Sequence, residues 1–325
     1  MLSAPFFSVF ITAYNRAEQL RRCVRSAFDQ TLADFEVVVV DDASTDATPA
    51  VLAALADPRL RVVRHDRNRG FYPARATGVD HARGEWLVML DSDWELFPHS
   101  LARLRTLIDE RPAGVRIIRS RLQTDDGGVQ PGIMPSGITG YHDRLRWMES
   151  VTVHRASSDA GHCIHRSVLE KANYFHDRRG DMSLLWETNL ARTQSIFWVE
   201  DILGKQHQDA RNSLERDARP GRLVPRLLRD AHDELWMAET MLSEHGDELS
   251  RYAPTFHRAL LERAAKHAFL AGKRRTGLRY AHAARRSGSS PLKVWATTGL
   301  GTLAPQALAL AKVAQRRVDF RGALG

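Results

Sequence analysis

The stretch Gly84–Asp93, with the sequence GEWLVMLDSD, decides the fold. Its apolar run, Trp86–Leu90, has the length of a strand and delivers two carboxylates, Asp91 and Asp93, to the end of that strand. Two charges cannot be buried there without partners, so they must meet a cation. At the carboxyl edge of a parallel sheet, where open α/β folds bind ligands, the natural partner is a hard divalent metal that carries a phosphorylated ligand.

Strand-like and helical segments alternate upstream of this stretch. Phe7–Ala13, Phe35–Val40 and Leu60–Arg64 are rich in β-branched or aromatic residues, and each is followed by a polar turn. Segments with helical periodicity then lead to the next strand. This alternation predicts an α/β fold with a doubly wound, mostly parallel sheet and flanking helices.

The turns after the first two strands are expected to cap helices. Asn15 precedes Glu18 by three residues, which is the capping-box spacing, and Ser44 and Asp46 precede a helix over Thr48–Leu55. Neither a Gly-x-Gly-x-x-Gly sequence nor a P-loop sequence occurs in the chain. A dinucleotide fingerprint and a phosphate-cradling P-loop are therefore excluded.

The charge of the 325-residue chain is unevenly placed. Residues 1–204 hold 25 Lys and Arg against 27 Asp and Glu, whereas residues 205–325 hold 22 against 12. A basic excess of this kind favours anionic partners. Nucleic acid is the obvious one, but the sequence lacks a helix-turn-helix signature, a zinc finger and an aromatic-basic RNA motif, so no nucleic-acid partner is predicted.

The two cysteines, Cys23 and Cys163, form neither a disulfide framework nor a paired zinc spacing, which indicates a reducing compartment. Met1–Val9 lacks the basic-then-apolar pattern of a secretory signal, so we expect a cytoplasmic protein. His162 and His165 flank Cys163, but without a second cysteine pair we interpret them as satisfied buried polar groups rather than as zinc ligands.

The second half of the chain carries weaker patterns. A helix is predicted from Pro98 to about Glu110, a strand over Val115–Arg119, and a return to the sheet over Trp147–Val153. From Pro225 onward the pattern is helical, with several runs that each keep one apolar face. These runs predict a small antiparallel bundle.

Five motifs in order resemble the nucleotide-sugar domain of family 2 glycosyltransferases with the GT-A fold. They are Ser8–Arg16 (SVFITAYNR), Val39–Asp46 (VVDDASTD), Asn68–Gly70 (NRG), Ala74–Gly78 (ARATG) and Ala82–Asp93, which ends in DSD. The resemblance is close over roughly residues 6–98 and looser to about residue 215. It implies a GT-A catalytic domain over residues 1–220, with a nucleotide-sugar part at about 6–98 and an acceptor part at about 99–220. Residues 221–325 would form a basic helical C-terminal region.

The resemblance implies roles for the residues at the sheet edge. Those that would bind the nucleotide sugar are Thr12, Tyr14, Arg16, Asp42, Arg75, Asp91, Ser92 and Asp93. Tyr14 would stack on the nucleobase, Asp42 would accept a hydrogen bond from the base edge, and Arg75 would contact the pyrophosphate. Asp91 would face the ribose or the metal, Asp93 would ligate Mn²⁺ or Mg²⁺, and His207 would complete the metal shell.

The general base stays open between two carboxylates. Family members usually carry a Glu-Asp pair before an amphipathic helix, and the aspartate is the base. Here Glu187-Thr188 matches that pair in position but lacks the second acid. Glu187 is the first choice and Asp181 the second, and the alternative for Glu187 is a cap or a salt bridge in its own helix.

The implied activity is metal-dependent, inverting transfer of a sugar from a nucleoside diphosphate sugar to an acceptor hydroxyl. The acceptor would be a saccharide or lipid-linked molecule in cell-surface polysaccharide, lipopolysaccharide or glycolipid synthesis. UDP is the first choice of nucleotide, with GDP and dTDP as alternatives. A nucleotidyltransferase is the alternative enzyme, and a basic nucleic-acid-binding protein is the alternative from another class.

The C-terminal tail suggests a membrane surface. Between Pro291 and Lys312 lies an apolar stretch that is long enough to span a bilayer but too weakly hydrophobic to be read as a transmembrane helix. One interpretation is a helix packed on the catalytic domain. The other is peripheral attachment to the inner face of the cytoplasmic membrane, through apolar residues such as Trp295 and the surrounding arginines.

Overall fold

The computed structural model describes residues 4–154, 161–169, 178, 182–207, 225, 227–291 and 297–299. The chain forms two compact units: Met1–Arg179 with Trp186–Asp209, and Gly180–Leu185 with Ala210–Gly325. The predicted domain boundary at residue 220 lies outside the described residues.

The first unit contains one mixed sheet. In the described part of the chain its strands are β1 (Phe7–Ala13), β2 (Phe35–Asp41), β3 (Leu60–Arg64), β4 (Trp86–Asp91), β5 (Trp94–Leu96), β6 (Ile117–Thr124), β7 (Val129–Gln130), β8 (Gly137–Thr139), β9 (Gly161–His165) and β10 (Ile196–Gln206). Their order is β3-β2-β1-β4-β9-β6-β10-β5, with β7 beside β6 and β8 beside β10. Strands β3, β2, β1 and β4 run parallel, as the alternation of segments predicts. Strand β9 is antiparallel to both β4 and β6.

Helices connect these strands. The described helices of this unit are α1 (Ala17–Phe28), α2 (Thr48–Ala53), α3 (Phe71–His81), α4 (Ser100–Glu110), α5 (Tyr141–His154), α6 (Arg166–Leu169) and, from Trp186 onward, α7 (Ser183–Thr193). Helix α1 buries one apolar face: Leu20, Cys23 and Val24 are fully buried against β1 and β2. Burial of these side chains contributes roughly 1.5–3 kcal/mol for each large aliphatic residue.

Two sequence predictions are wrong. Trp147–Val153 is helical rather than a strand, because Arg144, Leu145, Trp147 and Met148 are all buried and follow a helical spacing. Asn15 does not cap α1, because its side-chain oxygen accepts hydrogen bonds from the backbone nitrogens of residues 45 and 46 instead.

The second unit is helical where it is described. It contains α8 (Ala231–Tyr252), α9 (Pro254–Leu270) and α10 (Arg274–Arg286). Leu235 and Met241 of α8 are buried, as are Leu260 and Phe269 of α9. The prediction of helices in this region is thus confirmed, although the segment after Pro291 falls mainly outside the described residues. In the described part of the chain, no helix combines the length and the apolar character needed to cross a bilayer.

Candidate active site

The predicted carboxylates lie at the carboxyl edge of the parallel strands. Asp91 ends β4 and is opposite Thr12 of β1 in the register of the sheet. Nη2 of Arg75, from α3, lies 3.2 Å from Oδ1 of Asp91, and Nη1 of Arg16 lies 3.8 Å from Oδ2 of Asp93. The aspartate side chains keep 29% and 25% of their surface exposed. Two carboxylates and two guanidinium groups therefore meet at one accessible edge.

These charges also act on the thiol behind them. Cys23 of α1 lies beneath the edge, with its sulfur 3.5 Å from the main-chain oxygen of Asp91. Burial, and after it the charges of Asp93 and Asp91, raises the pKa of Cys23 well above its ordinary value. The thiol therefore stays neutral and serves as a small apolar group.

Tyr14 is exposed to solvent at the carboxyl edge of the sheet. Its side chain is 45% exposed, which is unusual for a residue that directly follows a buried strand. Asn15, with φ of 53°, turns the chain away, and its main-chain nitrogen donates to the Ser44 hydroxyl at 2.9 Å. The loops after β1 and β2 are thus tied together, and the aromatic ring remains available to a planar ligand.

The carboxylate of Asp42 forms contacts within the protein. Its carboxylate accepts hydrogen bonds from the backbone nitrogens of Arg69 and Gly70, each at 2.8 Å, and lies 2.7 Å from Nδ1 of His65. The residue is almost completely buried. These contacts hold the Asn-Arg-Gly turn that precedes α3. The contact of Asp42 with the edge of a nucleobase stays a prediction.

His207 approaches the edge through its main chain. Its backbone nitrogen donates to the main-chain oxygen of Asp93 at 2.9 Å. Its ring nitrogens, however, face other carboxylates: Nε2 lies 2.6 Å from Glu95 and Nδ1 lies 2.9 Å from Asp125. The described residues contain no cluster of three His, Cys, Asp or Glu side chains that could hold a metal. The predicted ligand role of His207 would require its ring to leave both partners.

Glu187 of α7 lies in a buried cationic cluster. Nη2 of Arg119 is 2.8 Å from both carboxylate oxygens, and Nη2 of Arg144 is 2.9 Å from Oε2. The two arginine side chains are only 1% and 5% exposed. Burial lowers the pKa of Arg144 to about 10 and also lowers the pKa of Arg119, while Glu187 opposes both shifts. The alternative of a salt bridge is therefore realised, although its partners come from β6 and α5 rather than from the same helix.

Trp186 connects the Glu187 cluster with Arg75 at the carboxyl edge of the sheet. Trp186 lies 5.6 Å from the guanidinium of Arg75 and 6.0 Å from the ring of His162. The other predicted base, Asp181, lies outside the described residues. The sequence reading missed Arg119 and Arg144, although a charged residue inside the apolar run of β6 is a sign of a buried partner.

Comparison with known proteins agrees with this arrangement. Residues 8–167 match the sequence model of glycosyl transferase family 2. The succinoglycan biosynthesis protein ExoO of Rhizobium meliloti is 42% identical over 123 residues, which are 38% of this chain and 35% of that protein. The chain thus spans about a third of the length of that curated relative.

Solved structures share the fold across most of the chain. S. aureus TarS 1–349 in complex with UDP-GlcNAc has a TM-score of 0.56 at 17% identity and covers 95% of this chain and 88% of its own. The mannosyltransferase PcManGT from Pyrobaculum calidifontis, in complex with GDP-Man and Mn²⁺, has a TM-score of 0.53 at 19% identity, with coverage of 98% and 88%. At these identities the likeness establishes the fold alone.

A parallel sheet with paired aspartates at its carboxyl edge, continued by antiparallel strands, is the GT-A fold that the solved structures share. In its sequence, the chain is similar to glycosyl transferase family 2 over residues 8–167, just under half of its length.

Proposed function

We propose that the protein transfers a sugar from a nucleoside diphosphate sugar to an acceptor hydroxyl, with inversion at the anomeric carbon. The observation that carries this proposal is the meeting of Asp91, Asp93, Arg75 and Arg16 at the accessible edge of the parallel strands. Guanidinium groups suit phosphate oxygens, and paired carboxylates suit a divalent cation that phosphates share.

The aspartate pair fits Mn²⁺ or Mg²⁺. Proteins often hold these ions with one or two carboxylates and complete the shell with substrate phosphates, so a third protein ligand is not required. Asp93 and Asp91 would hold the ion, and a bound ion offsets negative charge on the leaving diphosphate. The Mn²⁺ complex of PcManGT supports this assignment.

The remaining residues of the edge would hold the nucleotide. Tyr14 would stack on the base, and Arg75 would present its guanidinium to the diphosphate. Thr12 of β1 and Ser92 of the turn after β4 would flank the site. UDP is the preferred nucleotide, supported by the UDP-GlcNAc complex of TarS, and GDP or dTDP is the alternative.

Transfer also requires that the acceptor hydroxyl lose a proton. Glu187 is the carboxylate that we connect with this proton transfer, either directly or through a neighbouring group, and Asp181 is the alternative. The acceptor is proposed to be a saccharide or a lipid-linked saccharide in polysaccharide synthesis, and the likeness to a succinoglycan biosynthesis protein supports this class.

A thermal-shift screen tests the donor assignment. UDP, GDP and dTDP sugars are added to the whole chain with and without Mn²⁺. A ligand at a hundred times its dissociation constant should stabilise the fold by roughly 2.7 kcal/mol. We expect stabilisation by one nucleotide class that depends on Mn²⁺, whereas no shift with any of the three would overturn the proposal.

The basic helical region, residues 221–325, is proposed to attach peripherally to the inner face of the cytoplasmic membrane. Helix α10 begins with Arg274 and Arg275 and ends with Arg285 and Arg286, and all four are exposed. Each arginine near an anionic surface contributes about 1 kcal/mol. The double variant Arg274→Gln, Arg275→Gln should lower binding to phosphatidylglycerol vesicles at low salt, and equal binding by the variant and the wild type would contradict the attachment.

A further inference from the structure

We propose that His162 is the group that receives the proton of the acceptor hydroxyl, and that Glu187 is a positioning residue that acts through it. This inference rests on the proposed glycosyl transfer and names the proton-accepting atom within it. It departs from the Glu-Asp pattern of the resembled family, because a histidine on β9 takes the part of the absent aspartate.

Glu187 is poorly placed to take the proton itself. Both of its carboxylate oxygens already accept hydrogen bonds from guanidinium groups of Arg119 and Arg144. Protonation of Glu187 would leave two buried arginine charges without their anion, and breaking a buried ion pair in this way is strongly unfavourable. Transfer of the proton to Glu187 would therefore disrupt this cluster.

The next residue along the helix cannot replace it. Position 188 is a threonine that is fully buried, and its hydroxyl faces the sulfur of Met148 at 3.7 Å. A threonine hydroxyl is a weak base, and this one has no access to solvent. The position that follows Glu187 thus supplies no proton acceptor.

His162 has the placement that a base needs. Its Nδ1 lies 3.7 Å from Oε1 of Glu187, and within the described part of the chain this nitrogen is buried without a hydrogen-bonding partner. The side chain as a whole remains 11% exposed, so the exposed part of the ring lies away from Nδ1. An imidazole whose Nδ1–H faces a carboxylate presents Nε2 as a proton acceptor.

Aromatic rings hold the imidazole in this orientation. Trp94, which directly follows Asp93, is nearly parallel to the His162 ring, with centroids 6.5 Å apart and an angle of 10° between the planes. Trp186 contacts the same ring with centroids 6.0 Å apart. The histidine is therefore held between Trp94, the residue after Asp93, and Trp186 of the helix that carries Glu187.

His162 lies close to the candidate donor site in the sheet. His162 pairs with Met89 of β4, two residues before Asp91. Two residues of strand correspond to about 6.6 Å. The imidazole therefore lies on the strand next to β4, close to the aspartates that we assign to the donor site.

Glu187 from α7 lies beside the imidazole, Arg119 is paired with His162 across strands β6 and β9, and Arg144 from α5 contacts the same carboxylate. Glu187 is the group nearest to the positive charge that the imidazole gains when it accepts the proton. In the reaction the acceptor oxygen forms its bond to the anomeric carbon as its proton moves to Nε2. The bond from the anomeric carbon to the phosphate oxygen breaks, and its electron pair leaves with the nucleoside diphosphate. The imidazolium then releases the proton to solvent.

The first test needs no substrate. ¹⁵N NMR of the histidine-labelled protein reports the tautomer of His162, assigned with the variant His162→Gln. At pH 7.5 we expect the neutral form with the proton on Nδ1, and we expect that form to lose its preference in Glu187→Gln. A proton on Nε2, or a tautomer that ignores Glu187, would overturn the proposal.

The second test measures the release of UDP from UDP-GlcNAc in the presence of Mn²⁺, with water as the acceptor. His162→Gln should lower this rate by about 10²-fold or more, with unchanged affinity for UDP. His165→Gln, on the same strand, is the matched control and should keep the wild-type rate. Near-wild-type release by His162→Gln would reject the role of His162, whereas failure of the wild type to bind any nucleotide would reject the proposed function and leave the tautomer to decide this inference.

Discussion

Nη2 of Arg75 lies 3.2 Å from Oδ1 of Asp91, and the same guanidinium lies over the ring of Phe71, 4.4 Å from its centroid. Because Asp91 and Phe71 contact the guanidinium from different sides, its orientation is already restricted in the ligand-free protein. An oriented guanidinium loses less freedom when it binds a diphosphate.

Arg75→Lys should therefore weaken the binding of UDP. Lysine keeps the charge but loses the planar fork and the contact with Phe71, and hydrogen bonds to charged groups contribute about 1.5–3 kcal/mol. We expect a loss of affinity of about 10- to 100-fold, measured by isothermal titration calorimetry.

A matched control exists for this variant. Arg105 lies over the ring of Phe6 at 3.9 Å and pairs with Asp109 at 3.2 Å, away from the edge of the sheet. Arg105→Lys thus repeats the same chemical change and should leave the affinity for UDP unchanged. Equal affinity in the wild type and Arg75→Lys would remove Arg75 from the donor site.

Glu187→Gln should lower turnover by about 10²- to 10⁴-fold while the affinity for the donor stays close to that of the wild type. The amide keeps the shape but removes the anion that Arg119, Arg144 and His162 face. Because a buried pair is broken, the fold should also lose about 3–5 kcal/mol of stability, measured by chemical denaturation.

Glu187→Asp separates these effects. It keeps the negative charge, so it should recover most of the stability, but its shorter side chain should recover only part of the turnover. Asp181→Asn addresses the alternative base in the same assay: if that variant alone is inactive, the proton transfer belongs to Asp181.

Glu36 gives a prediction for the fold rather than the site. Its carboxylate accepts from the Ser8 hydroxyl at 2.7 Å and from Nε of Arg83 at 2.8 Å, which ties β2 to β1 and to the turn before β4. Burial alone would raise the pKa of Glu36, but these hydrogen bonds outweigh it and hold the pKa below its ordinary value of 4.5.

A carboxyl group whose pKa is lower in the folded state stabilises the fold above its unfolded pKa, and this stabilisation is lost as the pH falls through the folded value. Glu36→Gln should therefore unfold at a lower temperature than the wild type at pH 7, and the gap should narrow below about pH 4.5. A gap that stays constant over this range would contradict the account of Glu36.

The parallel half of the fold could be predicted from the sequence because each of its strands is short, apolar and followed by a polar turn. Phe7–Ala13 and Leu60–Arg64 are strands with the predicted bounds. Local patterns sufficed for Phe7–Ala13, because a parallel strand that is buried on both faces reads as a continuous apolar run. Leu60–Arg64 is a partly exposed strand at the end of the sheet, and its β-branched residues indicated it. The helix after residue 140 was misread, because Arg144 at a buried position hides the apolar periodicity of α5.

The site could be predicted only in part. The aspartate turn and Arg75 follow from motifs that are contiguous in the sequence. Arg119, Arg144 and Glu187 lie between 25 and 68 positions apart in the sequence. No local sequence pattern predicts that their side chains form one cluster. For Asp42 the sequence motif is clear, but the motif did not indicate that its carboxylate accepts hydrogen bonds from the backbone nitrogens of Arg69 and Gly70.

The central claim is that Asp93 at the edge of the sheet serves a metal-bound nucleotide. Calorimetric titration of UDP into the protein, in Mn²⁺ and in excess chelator, tests it most directly with the wild type, Asp93→Ala and Asp93→Asn. Asp109→Asn, an exposed aspartate of α4, is the control for loss of a carboxylate. We predict Mn²⁺-dependent binding in the wild type and in Asp109→Asn, and no detectable binding in either Asp93 variant, because an amide is a poor partner for a hard divalent cation. Binding of near-wild-type strength in Asp93→Ala, or in the wild type with excess chelator, would contradict the claim.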